Sequence, residues 1–248
     1  MFARLRAAVP PSVVQTIFRL WARPMPAQPF VHQLVRAYCL GAGLEIGPGK
    51  LPYCDPKRTT FVDKHPEAKD GMAAPDLIAD AADLPLPDAS QDYVFSAHVL
   101  EHAPDTIRAL EEWLRVLKPQ GVLFLVLPHG DRTFDRHRAK TPLAHHIQDR
   151  ERLNGTPDHS HDAEARAGME QLDDLEAVTA AHHRSFGEGT MWDFDHRLAH
   201  DAMHYHVWTQ DEIVRLLQHL AVTICAVVEQ PRDRPDSFVA IGRKRERP

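Results

Sequence analysis

Cysteine is scarce in this chain, and its spacing is uninformative in a useful way. Cys39, Cys54 and Cys225 are the only three in 248 residues, and none falls in a CxxC pair. That excludes a disulfide scaffold and a cysteine zinc site, and it points to a reducing, cytoplasmic compartment. Net positive charge is absent as well. A formal charge of -6 supplies no basic field, so no nucleic-acid partner is expected. No apolar run reaches the about 20 residues of a membrane-spanning helix. The segment SVVQTIFRLWA is short and interrupted by Arg19, and with no small-residue cleavage site after it a secretory signal is not expected. Acids are missing before Glu45, whereas Arg4, Arg6, Arg19, Arg23 and Arg36 precede it. Residues 1–40 therefore read as a basic helical segment. Its first reading is a helix that caps the core; its second is peripheral contact with anionic lipid at the inner membrane face.

What remains is an ordinary globular composition, 43% hydrophobic and 26% charged, on a chain long enough for one full core and an insertion. From residue 43 short apolar runs alternate with helical stretches. GLEIG, TTFVDK (59–64), DLIAD (76–80), DYVFSA (92–97) and GVLFLVLP (121–128) are strand candidates, the last apolar enough to be central. Between the fourth and fifth, Ile107, Leu110, Leu114 and Leu117 recur at helical spacing, and Pro119 and Gly121 follow as stop signals. Strand-helix-strand repetition predicts a parallel sheet. Near the end, Thr209 and Glu212 form a capping box before a helix, and two strands joined by PRDRPDS form an antiparallel pair. The expected fold is α/β, Rossmann-like, with a seven-stranded, mostly parallel sheet, a terminal antiparallel hairpin and a histidine-rich insertion after the fifth strand. The expected organisation is a core over 41–128, the insertion over 129–206, and a completing helix and hairpin over 207–248.

Glycine is missing where a dinucleotide fingerprint needs it. After the first strand come Gly47 and Gly49, but the third glycine position of G-x-G-x-x-G is Pro52, which has no N–H for a pyrophosphate. Ligands of open parallel sheets bind beyond the strands' carboxyl ends, which puts Gly47, Asp63, Asp80 and Ser96 on one rim. A carboxylate ending the second strand suits a ribose diol, and one ending the third suits an exocyclic amine. Glu45, inside the first strand, suits a cationic ligand better than an anionic one.

With these residues in view, the segment from Gly43 to Pro128 resembles the class I S-adenosylmethionine-dependent methyltransferases. EIGPG resembles the family's first motif, DAADLPLPDASQDYV the stretch after its third strand, SAHVLEH its fourth-strand motif, and LRVLKPQGVLFLVLP the helix and strand that follow. The departure is Leu51, where many relatives carry a further glycine. The resemblance implies S-adenosyl-L-methionine as cofactor, with Glu45, Gly47, Gly49, Asp63, Asp80, Ala81, Ser96 and His98 as its binding residues. His98 and His102 flank Glu101; they either line the pocket or cap the next helix.

Histidine is in excess, with 17 residues, mostly between His129 and His206. The pattern Thr133, Phe134, Asp135, Arg138, Thr141, His145, Asp149, with HYHVWTQDEI further on, resembles uncharacterised methyltransferases associated with bacterial surface-polysaccharide synthesis. This implies a glycan or other small-molecule acceptor, methylated on a sugar hydroxyl. His145 and Asp149 at i, i+4 share a helix face, and His204 and His206 at i, i+2 share a strand face; His196, His200 and His204 share a face if that stretch is helical instead. This set, His145, Asp149, His204 and His206, suits a divalent metal that chelates hydroxyls, or equally a metal-free base or substrate contact; the remaining alternative is a structural role. The candidate catalytic residues are His129, His145 and His204. Arg132, Arg136 and Arg138 either hold an anionic substrate group or pair with Asp131 and Asp135. His182 and His183 read as solvated loop residues. The alternatives are a methyltransferase of the quinone or lipid type, and a non-catalytic protein that binds the cofactor for regulation.

Overall fold

The structure is a computed structural model that describes residues 29–49, 52–65, 74–153, 161–172 and 203–246. The expectations for residues 1–28 and for His182, His183, His196 and His200 lie outside the described residues. The order of elements is α1 (Phe30–Tyr38), β1 (Gly43–Ile46), β2 (Thr59–Asp63), β3 (Leu77–Ile78), β4 (Gln91–Ala97), a 3-10 turn (Leu100–His102) and α2 (Thr106–Val116). Then follow β5 (Leu117–Pro128), α3 (Leu143–Leu153), α4 (Asp162–Glu170), α5 (Gln210–His219), β6 (Val222–Val228) and β7 (Ser237–Lys244).

The seven strands form one sheet in the order β3-β2-β1-β4-β5-β7-β6. Strands β1 to β5 are parallel, and β7 runs antiparallel to both β5 and β6. The fold is therefore the Rossmann-like, mostly parallel sheet with a terminal antiparallel hairpin. One expectation needs correction. Helical crossovers were predicted along the whole parallel part, yet among the described residues only β4 and β5 are joined through a helix, α2. The described parts of the β1–β2 and β3–β4 connections are turns and bends, and they hold Pro52, Pro56, Pro85 and Pro87 with no helix-length apolar period.

β5 is central because its residues from 121 to 128 are buried on both faces. Val122, Phe124 and Val126 pack on one face with Phe95, Val239 and Val31 and Val35 of α1. Leu123, Leu125 and Leu127 pack on the other with Leu110 and Trp113 of α2 and Ile213 and Leu216 of α5. Each fully buried side chain of this size contributes about 1.5–3 kcal/mol. The part of the basic segment that is described, α1, thus caps the core with its apolar face. α2 starts at its cap Asp105, whose carboxylate accepts from the Arg108 amide. α5 starts at the predicted Thr209–Glu212 capping box. No described helix is long and apolar enough to cross a membrane.

The insertion docks on this frame. Gly130 donates to the Trp208 carbonyl and Thr141 to the Val207 carbonyl, so both ends of the insertion run side by side. Leu143 and Ile147 of α3 rest on the core beneath α2.

Candidate functional site

The turn after β1 depends on two left-handed residues, Gly47 (φ +66°) and Gly49 (φ +61°), a conformation in which glycine carries no steric penalty. A Cβ on Gly47 would lie 2.4 Å from Val99 Cγ2, so the turns after β1 and β4 touch. Among the described residues no atom lies within 4 Å of a Cβ on Gly49, so they leave that side of the turn open.

Glu45 was expected to face a cationic ligand. It has another partner: its carboxylate is 1% exposed and accepts from the Tyr53 amide at 2.9 and 3.1 Å and the Cys54 amide at 2.8 Å. Burial pushes its pKa up, and the two amides oppose that rise. Glu45 therefore ties the loop at 53–54 to β1, since buried amides need acceptors as much as the carboxylate needs donors.

The other rim residues end their strands as expected. Asp63 closes β2, is half-buried, and accepts from the His65 amide at 3.0 Å. Asp80 follows β3, is exposed, and accepts from the Ala82 amide at 2.7 Å. The Ala81 carbonyl accepts from the Trp113 indole at 2.8 Å, and Glu112 accepts from the Leu84 amide at 2.7 Å. α2 thereby fixes the turn that carries Asp80. Ser96 lies opposite Ile46 at the end of β4. It is fully buried, and its Oγ has no hydrogen-bond partner among the described residues. An orphaned hydroxyl, an open glycine turn and two strand-end carboxylates fit the polar atoms of an adenosine cofactor.

Just beyond β4, Glu101, flanked in sequence by His98 and His102, is the centre of a histidine cluster. Glu101 is 0% exposed and is ringed by His98 Nδ1 at 3.6 Å, His102 Nε2 at 3.9 Å and His204 Nε2 at 4.0 Å. Each imidazole is oriented from behind. His98 Nε2 meets Ser237 Oγ at 2.8 Å, His102 Nδ1 meets the Met203 carbonyl at 2.8 Å, and His204 Nδ1 meets Asp135 Oδ2 at 2.6 Å. His98 itself has φ +55°, a left-handed residue at a strand end. Burial, then the Arg234 charge, push its pKa down to about 3, so it is neutral at ordinary pH. For Asp135 burial acts upward, but His204 and Arg138 outweigh it and hold the pKa at about 2.

A second cluster lies within the insertion. His145, Asp149, His161 and His206 bring one ligating atom each to within 4.8 Å of one another. The predicted set is thus split. His145, Asp149 and His206 meet, His161 joins them, and His204 belongs to the Glu101 cluster. The predicted shared strand face of His204 and His206 fails because residues 203–207 form no strand. His129 stands apart from both clusters. It is 5% exposed, and its Nδ1 accepts from the Asp131 amide at 3.1 Å; burial, then Arg132, push its pKa down. Arg138 is no anion site either: it binds Asp135 at 2.9 Å and the His204 and Tyr205 carbonyls at 2.8 and 3.1 Å. Arg132 donates to the Glu229 and Ser237 carbonyls.

Glu101 had a usable signal, three residues after His98 and next to His102. His161 had none, because it stands 16 residues from His145 with no helical or strand period linking them.

Comparisons with known proteins agree with this layout. Residues 40–125 match the family described as Methyltransferase domain. A Mycolicibacterium smegmatis protein described as a probable S-adenosylmethionine-dependent methyltransferase is 48% identical over 62 residues, 25% of this chain and 23% of its own length. The 27-O-demethylrifamycin SV methyltransferase of Amycolatopsis mediterranei is 44% identical over 54 residues, 20% of each chain. The chain thus spans less than a quarter of the length of these curated relatives. A chain from the complex containing the Haloferax volcanii Trm112 methyltransferase activator shares the fold. It has a TM-score of 0.50, 13% identity, and coverage of 88% of this chain and 90% of that one. Residues 40–125 are thus similar in sequence to a methyltransferase domain, on the Rossmann-like sheet described above.

Proposed function

We propose that this protein methylates a hydroxyl of a polar acceptor, a sugar of a cell-surface glycan precursor, with S-adenosylmethionine as methyl donor. The observation that carries the reading is the Asp135–His204–Glu101 line beside the end of β4, next to the cofactor rim. When bound, the cofactor supplies an electrophilic methyl group. This chain's residues supply the rest. A protonated hydroxyl is a poor nucleophile, so its proton needs a base as the oxygen attacks. His204 is that base: Asp135 holds its Nδ1, and Nε2 is the nitrogen that takes the proton. The Glu101 carboxylate at 4.0 Å stabilises the imidazolium that forms. His98 and His102, each about a quarter exposed, offer hydrogen bonds to neighbouring hydroxyls and hold the acceptor in line. Of the residues expected to be catalytic, this reading keeps His204 and sets aside His129 and His145.

The name of the Amycolatopsis relative speaks of transfer to oxygen, which supports an oxygen acceptor. The insertion's polar character supports a glycan over a quinone. A glycan precursor made at the inner membrane face also suits the basic residues before Glu45 and a cytoplasmic enzyme. The test pairs calorimetry with S-adenosylmethionine and a screen of sugar acceptors using a labelled methyl donor. Expected are cofactor binding, labelled sugar, and a His204→Gln variant that binds cofactor with its turnover lowered about 100-fold or more. Binding without turnover on any acceptor makes the protein a regulatory binder instead. No binding overturns the reading.

A further inference from the structure

We propose that His145, Asp149, His161 and His206 hold one zinc ion in a closed tetrahedral site that clamps the insertion to itself and to α2. The argument begins with directions. His145 Nε2 lies 3.0 Å from His161 Nε2 and 3.1 Å from Asp149 Oδ2. An imidazole nitrogen has one in-plane lone pair or one N–H, and it cannot aim that at two atoms. Asp149 Oδ2 is also 3.0 Å from His206 Nε2. Four ligating atoms therefore crowd round one point, and pairwise hydrogen bonds leave the crowding unexplained. A cation at the centre resolves it. With bond lengths of about 2.0–2.2 Å to nitrogen and oxygen, the edges of a zinc tetrahedron measure about 3.3 Å, close to these three contacts of 3.0–3.1 Å, and all four atoms lie within 4.8 Å of one another.

The surroundings fit the same ion. Three imidazoles and one carboxylate are a borderline donor set that selects zinc over magnesium or calcium. His206 Nδ1 lies 3.0 Å from Thr106 Oγ1, an outer hydrogen bond that fixes the ring and leaves Nε2 for the metal. Thr106 is the first residue of α2, so this contact ties the site to the sheet domain. Asp149 and His206 are buried at 1% and 0% side-chain exposure, while His145 is 32% exposed. A depression of about 400 Å³ lined by His145, Gln148, Asp149, Glu151 and Arg152 gives the ion a way in. Four protein ligands complete the coordination of zinc and leave no open position for a substrate, which makes the site structural. Its ligands come from α3, from the residue before α4 and from the segment before α5, stretches that no local period holds together.

The test uses the full chain without an affinity tag, stripped with chelator and reloaded with Zn²⁺. Elemental analysis is expected to find one zinc per chain, and Co²⁺ in its place is expected to give the intense visible bands of tetrahedral coordination. Zinc affinity falls at least tenfold in His161→Ala and in His145→Ala, the latter at a position about a third exposed, with the thermal melt of each variant confirming that it is folded. His102→Gln, in the other cluster, keeps full stoichiometry. A wild-type chain that takes up no zinc overturns the proposal. So does His102→Gln losing zinc while His145→Ala and His161→Ala retain it. These readouts need neither cofactor nor turnover, so a failure to methylate sugars leaves them unaffected.

Discussion

The cofactor rim and the insertion are built on opposite principles. On the rim, each functional group follows a strand it belongs to, and its partners are near in sequence: Asp63 with His65, Asp80 with Ala82, Glu45 with Tyr53 and Cys54. In the insertion, partners come from far apart: Asp135 with His204, Asp149 with His206, Glu101 with His204. The rim is polar groups set on a rigid sheet. The insertion has a small apolar cluster of its own, Ala165, Met169, Met203 and Tyr205, so buried ionic contacts carry a larger share of its order. The difference teaches where each region is vulnerable.

Two Asp–Arg pairs at the same i, i+3 spacing sharpen the contrast. Arg138–Asp135 lies in the insertion at 2.9 Å with side chains 3% and 4% exposed; Arg58–Asp55 lies before β2 at 3.3 Å with both 45% exposed. Asp135→Ala removes the nearer carboxylate from a buried guanidinium, leaving Glu164 at 3.5 Å, and is expected to cost about 3–5 kcal/mol, read as a drop in the denaturation midpoint. A loss no larger than that of Arg58→Ala breaks the comparison. Glu45→Ala is the corresponding stress on the rim. It strands two amides and is expected to cost about 1.5–3 kcal/mol, with cofactor affinity falling alongside because the loop at 53–54 comes loose.

Asp63→Ala acts on function alone. Its expected effect is about a 10- to 100-fold loss of S-adenosylmethionine affinity, with the melting temperature nearly unchanged, measured by calorimetry and thermal melts. The smallest expected structural effect is Arg58→Ala, under about 1 kcal/mol.

Acid separates the regions further. Above pH of about 6.5 His98 is neutral both folded and unfolded. Below that the unfolded chain takes up a proton that the folded chain refuses until about pH 3, so stability falls as pH falls through that window. Asp135 adds a second loss lower down. Its folded pKa of about 2 lies below the ordinary aspartate value of 3.8, so its contribution is present above 3.8 and disappears towards 2. Melts of His98→Gln are expected to show a flatter slope from pH 6.5 downward, and an unchanged slope removes His98 as the source.

The sheet, its hairpin, the capped helices and the strand-end acids were legible in the sequence because each is written in a few adjacent residues. Periods of two or 3.6, a glycine turn or a capping box need no distant partner. Glu45 shows the limit even there, since spacing could place it in β1 but not say that the Tyr53 and Cys54 amides would take its carboxylate. In the insertion, His145 with Asp149 was readable as one helical turn. The addition of His161, the departure of His204 to Asp135 and the burial of Glu101 among three imidazoles were not. Those depend on how α3, α4 and the segment at 203–208 pack against α2. The sequence by itself determined the parallel sheet and the strand-end residues of its rim, because local backbone preferences dictate them. Only the tertiary structure decided which histidines meet which carboxylates, because a short-ranged side-chain contact between residues 57 to 103 positions apart is set by packing and not by spacing.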